Sequence, residues 1–265
     1  MSGDEVFALI ISGVVALLLW VQWYRQVVIV RTIGPTRTAR LPLSVAPLLC
    51  AVILFVVLRR FAAHDVRDSG RYLAFYLVMG AAWVGVASRL LPWFGVSPRL
   101  DALERRNAAA SVAVGGALLG LTLAFAGANI GDGPGWYVVF FAALLSTGTL
   151  LLGWAVLESL THSAEAVTIE RDAASGLRLA GMLTAAGLIL GRAAAGDWVS
   201  VAATTRDFVR VGWPVLILLA ADALLHRVLR PSQTNPAPGT VVAGLLPALL
   251  YVAGAAFYVV WVGPW

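Results

Sequence analysis

Residues 104–128, ERRNAAASVAVGGALLGLTLAFAGA, and a second segment that follows at a spacing of sixty-five positions decide the fold of this chain. The second segment, residues 170–193, reads ERDAASGLRLAGMLTAAGLILGRA. Each has a charged start, a residue typical of a helix cap, and a long apolar run rich in small residues. Because alanine-rich sequences match one another easily, the shared order of features carries more weight than the identities. This order predicts two copies of one membrane hairpin.

The composition predicts that the solvent of this protein is lipid. The 265 residues are 60% hydrophobic and 12% charged, with a mean hydropathy of +0.86, whereas a soluble domain has about a quarter charged residues. All nineteen basic residues are Arg, which excludes Lys-dependent chemistry such as a Schiff base or a phosphate loop. We interpret the net charge of +5 as cytoplasmic Arg anchoring beside anionic lipid, and we expect no nucleic acid partner.

Eight apolar runs are long enough to cross the hydrocarbon core, which requires about 20 residues. The connection 25–40 holds four Arg and no acid, so we expect it in the cytoplasm and both termini outside. Residues 196–206 are expected along the membrane interface, and residues 231–238 form a turn-rich linker. The expected spans are 6–24, 41–58, 72–94, 107–129, 136–157, 172–195, 208–229 and 239–265, the last ending in an aromatic group that includes Trp265.

The predicted fold class is therefore all-α, a polytopic transmembrane helical bundle with an internal repeat. We treat residues 1–265 as one integral membrane domain. Its parts are an N-terminal three-helix part (1–100), a duplicated core (101–198) and a C-terminal two-helix part (199–265). The single cysteine, Cys50, lies in an apolar run and is interpreted as a packing residue.

Small residues four positions apart predict close helix packing. The pattern Gly-x-x-x-Gly occurs in both copies. Since lipid provides little hydrophobic drive between helices, such faces associate through close backbone approach. We expect them to pack inside the bundle, and a homo-oligomer contact or a pore lining stays open. The glycines assigned to packing are Gly115, Gly116, Gly120, Gly181, Gly187 and Gly191.

Asn107 and Asp172 open the two repeat helices. Asn and Asp are favoured helix caps because the side-chain oxygen accepts a backbone N–H that has no partner in the helix. The alternative is a pair of polar groups at the mouth of a cytoplasmic cleft.

Charged residues inside apolar runs are costly in lipid and often functional. Arg89, Arg178 and Asp222 lie a few residues inside predicted cytoplasmic helix ends, where Glu158 and His226 also lie. Asp222 and His226 are four positions apart and share one helix face. We expect Asp222 to pair with Arg178 or Arg89, directly or through water, with Glu158 and His226 at the rim. Snorkelling Arg side chains and a structural ion pair are one interpretation, and a polar vestibule for a proton, ion or solute is the other.

Sequence motifs for catalysis are absent. The chain has no HExxH, CxxC, phosphate loop or dinucleotide-binding fingerprint. Its three His are scattered. We therefore expect no catalytic residues, no metal site, no cofactor and no enzymatic activity.

Residues 101–198 resemble the YjfL-like family of bacterial inner-membrane proteins, a family without an assured activity. The resemblance implies an all-α, multi-pass protein of the bacterial cytoplasmic membrane and implies no reaction. The second copy departs from the pattern at Asp172, at Ala185 and at Arg178. The matching residues are Glu104, Arg105, Asn107, Ala109, Gly115, Gly116 and Gly120, then Glu170, Ala173, Gly176, Ala180, Gly181 and Gly187.

Two functions follow as hypotheses. The first is a non-enzymatic membrane component or scaffold that packs with another membrane protein or with a second copy of the chain. The second is a small ion or solute channel or transporter, because many transporters are built from repeats. The unbroken repeat helices and the position of the charges near one face argue against the second.

Overall fold

The structure is a computed structural model that describes residues 1–30, 37–230 and 239–263. Its fold is an all-α bundle, which confirms the predicted fold class. Seven of the described helices are long and apolar enough to cross a membrane, and a bent helix pair makes an eighth span. The protein is therefore a multi-pass membrane protein. Arg31, the linker 231–238 and Trp265 lie outside the described residues.

Eleven α-helices follow one another along the described residues. They are α1 (Gly3–Ile29), α2 (Arg37–Phe61), α3 (His64–Asp68), α4 (Gly70–Ser88), α5 (Ala108–Gly127), α6 (Trp136–Thr161), α7 (Ser163–Thr168), α8 (Ala173–Ala194), α9 (Val201–Gly212), α10 (Pro214–Leu229) and α11 (Leu246–Val262). Leu91–Phe94 adds a 3₁₀ turn, and Pro98–Glu104 and Val241–Leu245 are π-helical.

Four of the spans, α1, α4, α6 and the pair α9–α10, form one row of parallel helices. The indole of Trp20 on α1 donates to the carbonyl of Ala81 on α4 (2.9 Å). The indole of Trp83 on α4 donates to the hydroxyl of Thr147 on α6 (3.0 Å). A second contact joins Tyr72 near the start of α4 to Glu5 near the start of α1 (3.2 Å), and the ring of Phe94 after α4 stacks on Trp154 near the end of α6. Neighbouring helices of this row therefore run in the same direction.

The other four spans, α2, α5, α8 and α11, form a second row that runs in the opposite direction. Cys50 on α2 lies beside Thr122 on α5, and Gly181 on α8 faces Ala248 on α11. The most apolar stretches of α5 and α8 are each 78% buried, against 6% for α1 and 11% for the span that contains α11. The two helices predicted as repeat copies are therefore the centre of the bundle.

Matching turns precede and follow α5 and α8. The amide of Asn107 donates to the carbonyl of Asp101 (3.3 Å), and the amide of Asp172 donates to that of Ala166 (2.9 Å). The residues just before the caps, Arg106 and Arg171, both have positive φ (54° and 57°). At the other end, a turn glycine follows each helix, and the amide of Asp132 donates to the carboxylate of Asp197, sixty-five positions later (2.8 Å).

The seventh span differs from its prediction. Residues 201–206 were expected along the interface, but they form the first half of α9. The helix direction changes by 40° between α9 and α10, where Trp213 precedes Pro214. Proline has no backbone N–H to donate, and its ring clashes with the carbonyl four positions earlier, which explains a break at this point.

Candidate functional site

The packing glycines bring the backbones of α5 and α8 into contact. A Cβ at Gly116, Gly120, Gly187 or Gly191 would lie within 3.0 Å of backbone atoms of the facing helix. Gly181 serves the neighbouring contact with α11, where a Cβ would lie 2.5 Å from Ala248 Cα. Gly115 differs from the rest, because a Cβ there would meet Ala46 on α2 at an ordinary 3.8 Å. Close approach therefore requires five of the six glycines.

Asn107 and Asp172 cap α5 and α8. The side-chain oxygen of Asn107 accepts from the amide of Ala110 (3.3 Å), and its Nδ2 donates to the carbonyl of Val167 (2.7 Å). The Asp172 carboxylate accepts from the amide of Ser175 (2.9 Å). Asn107 therefore also fastens the start of α5 to the segment that leads into α8.

Arg178 is the most enclosed charged residue of the site. Its side chain is buried in the first half of α8, with the residue 2% exposed. One terminal nitrogen donates to the hydroxyl of Ser175 (2.9 Å), and the other donates to the carbonyl of Ala243 at the start of the last span. Ser175 in turn donates to the Asp172 carboxylate (2.6 Å). The guanidinium thus joins α8 to the π-helical segment that precedes α11 and to the cap of α8.

Asp222 faces this guanidinium from α10 without a direct ion pair. The residue is 3% exposed, and its Oδ1 accepts from the Tyr251 hydroxyl on α11 (3.1 Å). Arg178 is close enough to act on the carboxylate electrostatically, but no ion pair among the described residues includes Asp222. The prediction of a direct pair is wrong because Arg178 uses its nitrogens for Ser175 and Ala243. A water-bridged pair stays a prediction.

His226 lies one turn after Asp222 on the same helix and is 4% exposed. Its Nε2 is buried without a hydrogen-bond partner among the described residues. Arg178 and Arg230 both lie within electrostatic range of the imidazole. Arg230 itself, at the end of α10, pairs with Glu165 (3.3 Å) and Glu170 (2.9 Å). These pairs fix the end of α10 against the segment that precedes α8.

Arg89 and Glu158, which were predicted in the same cluster, form hydrogen bonds with residues outside it. Arg89 ends α4, is exposed, and donates to Gln22 on α1 (2.7 Å). Glu158 accepts from the hydroxyl of Ser163 (2.8 Å) and the amide of Ala164 (2.9 Å), so it holds the start of α7. The prediction that Arg89 pairs with Asp222 is wrong, because Arg89 is exposed and donates to Gln22 instead. The position of Glu158 at the rim of the cluster stays a prediction. The sequence placed them at the correct end of the bundle but could not show which row of helices they face.

Sequence reasoning missed Tyr251 and Ser175. Tyr251 belongs to a span without any charge, and the only signal was a hydroxyl in the middle of an apolar run. Ser175 was one of several small residues in the repeat helix. Together with Arg178, Asp222 and His226 they form what we call the buried polar cluster.

The buried polar cluster combines a carboxylate, a phenol, an imidazole and a fixed cation inside the span region. Such groups can hold and pass a proton. Among the described residues, no group of three or more His, Cys, Asp or Glu could hold a metal ion. No known protein family, curated protein or solved structure matches this chain with significant similarity.

Proposed function

We propose that the protein is a small ion transporter of the bacterial cytoplasmic membrane, and that the ion is a proton. No covalent chemistry is required of it. The observation that carries the proposal is a carboxylate, Asp222, buried in a membrane span and without an ion pair to any described residue. Ionisable residues are rare in membrane spans because a lone charge is expensive there, and those that occur commonly mark proton or ion pathways.

The surroundings of Asp222 support an exchange of protons. The Tyr251 hydroxyl can donate to the carboxylate, and Arg178 supplies a fixed positive charge nearby. One turn away, the buried Nε2 of His226 has no hydrogen-bond partner among the described residues. A purely structural group would be expected to satisfy each polar atom, because an unsatisfied buried atom costs about 1–3 kcal/mol. A carboxylate next to an imidazole is the arrangement of a proton relay.

The bent span supports the same proposal. Transporters commonly place ion sites beside interrupted helices, because broken backbone within the membrane is tolerated where protein or a cavity surrounds it. The repeat helices α5 and α8 are unbroken, as predicted, but the span that carries Asp222 is bent by 40°. We also propose that α1–α2, α4–α5, α6–α8 and α9–α11 are four tandem copies of one helix pair. The parallel rows and the matching turns support this repeat.

The charge distribution supports a cytoplasmic position for the end that holds the buried polar cluster. Among the described residues, segments 25–30, 37–40, 89–106, 158–178 and 222–230 lie toward this end and contain eleven Arg and seven carboxylates. The described residues of the opposite end contain seven Arg and seven carboxylates, so the excess of positive charge belongs to one end. By the positive-inside rule, both termini then face outward.

A static membrane component is the second candidate, and the closed centre of the bundle favours it. Glycines between α5 and α8 bring the helix backbones into contact and leave no room for a pore there. A scaffold requires such rigidity, whereas a transporter requires movement between the rows.

Proton flux separates the two candidates. The purified protein would be reconstituted in liposomes that enclose a pH-sensitive dye, and a potassium gradient with valinomycin would drive proton entry. We expect entry well above that of protein-free liposomes, and Asp222→Asn should reduce it to that level. Arg89→Gln is the matched control, since it removes an exposed charge outside the cluster. Wild-type protein without flux would support the static component instead.

A further inference from the structure

A polar cavity of about 290 Å³ lies at the end of the bundle that contains Met1 and Gly263. It is bordered by the first two turns of α1, α4, α6 and α9, by the last turns of α2 and α8, by α3, and by residues 128–135, which follow α5. Its size is near the lower limit of small-ligand pockets, which begin at about 300 Å³. The buried polar cluster lies at the other end, so it contributes nothing to this cavity.

The border of the cavity is acidic in a basic protein. Glu5, Asp65 and Asp132 border it, and none of the described residues that do so is Arg, Lys or His. Glu5 is partly engaged, because its Oε2 accepts from the amide of Ser2 (2.7 Å) and from the Tyr72 hydroxyl (3.2 Å), and the Met1 amine lies 3.9 Å away. Asp65 and Asp132 are exposed at the rim. A concave surface of one charge sign concentrates ligands of the opposite sign.

Asn129 provides independent evidence that the cavity binds a ligand. This residue borders the cavity, is 5% exposed, and donates from Nδ2 to the carbonyl of Phe125 (2.8 Å). Its Oδ1 is buried and has no hydrogen-bond partner among the described residues. An amide oxygen is an acceptor only, so the group that satisfies it must carry an N–H or O–H donor.

The acceptors are spread around the cavity. The three carboxylates do not form a group that could hold one metal ion. Tyr72, Tyr76 and Trp198 also border the space, and aromatic faces attract organic cations. We infer that this cavity binds a short aliphatic diamine, whose two ammonium groups carry N–H donors and can reach separated acceptors. The inference does not rest on proton transport, because binding is measured in detergent, where there is no proton gradient.

Isothermal titration calorimetry of the detergent-purified full chain with 1,4-diaminobutane tests this inference. We expect saturable binding of one molecule per chain. Asp132→Asn should weaken the affinity about 2- to 5-fold, the range for an exposed charge pair. Asp207→Asn is the control, because it removes an exposed carboxylate at the same end of the bundle but outside the cavity. Its affinity should match that of the wild type.

Recognition of N–H donors is tested with two further probes. Tetramethylammonium has the charge without N–H groups, and Mg²⁺ tests for a metal site, so both should bind more weakly than the diamine. Asn129→Leu should weaken diamine binding more than Asp132→Asn does. If Asn129→Leu does not fold, the exposed Asp132→Asn variant still tests the inference. The inference is overturned by wild type without saturable binding, by equal losses in Asp132→Asn and Asp207→Asn, or by equal or tighter binding of either probe.

Discussion

At the scale of single residues, Arg178 and Asp222 interact electrostatically without forming a direct ion pair. Each has its own hydrogen-bond partner, Ala243 and Tyr251 respectively, and both side chains are buried. Charges that share a medium of low dielectric constant interact strongly even without contact. Removing either charge should therefore leave the other uncompensated. Removing both should lower the free energy of unfolding by less than the sum of the two single effects.

A double-mutant cycle measures this coupling. Arg178→Gln and Asp222→Asn should each destabilise the protein by about 1–3 kcal/mol, with a coupling energy of about 0.5–3 kcal/mol in the double variant. Unfolding in mixed detergent micelles, followed by tryptophan fluorescence, gives the free energies. Arg89→Gln combined with Asp222→Asn is the control and should be additive within about 0.5 kcal/mol. Additivity in the Arg178 cycle would refute the coupling.

The sequence predicted part of this cluster for a clear physical reason. Asp222 and His226 are four positions apart, so helix geometry alone places them on one face. The partner of Asp222 could not be predicted from the sequence, because Tyr251 follows twenty-nine positions later and its contact depends on how α10 packs against α11. Arg89 was misplaced for the same reason, since its depth in the membrane was predictable but its helix neighbour was not.

At the scale of helices, the contact between α5 and α8 is the least tolerant of added volume. Gly116→Ala should destabilise the protein by about 1–3 kcal/mol, because the new methyl group meets the backbone of Ala180 and neither helix can move alone. Gly148→Ala on α6 is the matched control, since no described atom beyond its chain neighbours and the backbone of its own helix lies within 4 Å of the added Cβ. The control should be neutral or slightly stabilising, because Ala favours helix more than Gly does. Equal melting temperatures for the two variants would contradict the packing.

The helix boundaries were largely predictable, since the long apolar runs and the caps at Asn107 and Asp172 are local signals. The row order was not predictable, because it depends on contacts such as Trp83 with Thr147 that join separate spans. The bend at Pro214 was also missed. The sequence shows that proline, but the run 208–229 was apolar enough to be interpreted as one straight span.

At the scale of the whole molecule, both proposals depend on the orientation of the bundle. The excess of Arg belongs to the end where α1, α4, α6 and α10 finish, and the acidic cavity belongs to the opposite end. If the Arg-rich end is cytoplasmic, the cavity meets solutes from outside and the buried polar cluster is nearer the cytoplasm. In the opposite orientation, the cavity would meet solutes from the cytoplasm and the buried polar cluster would be nearer the outside.

Cysteine accessibility in intact cells tests this orientation most directly. In a Cys50→Ser background, Ser2→Cys reports the end with the termini, and Ser159→Cys reports the Arg-rich end, where this side chain is exposed. A membrane-impermeant maleimide should label position 2 in intact cells, and position 159 only after the membrane is disrupted. Labelling of position 159 in intact cells, with position 2 protected until disruption, would contradict the account.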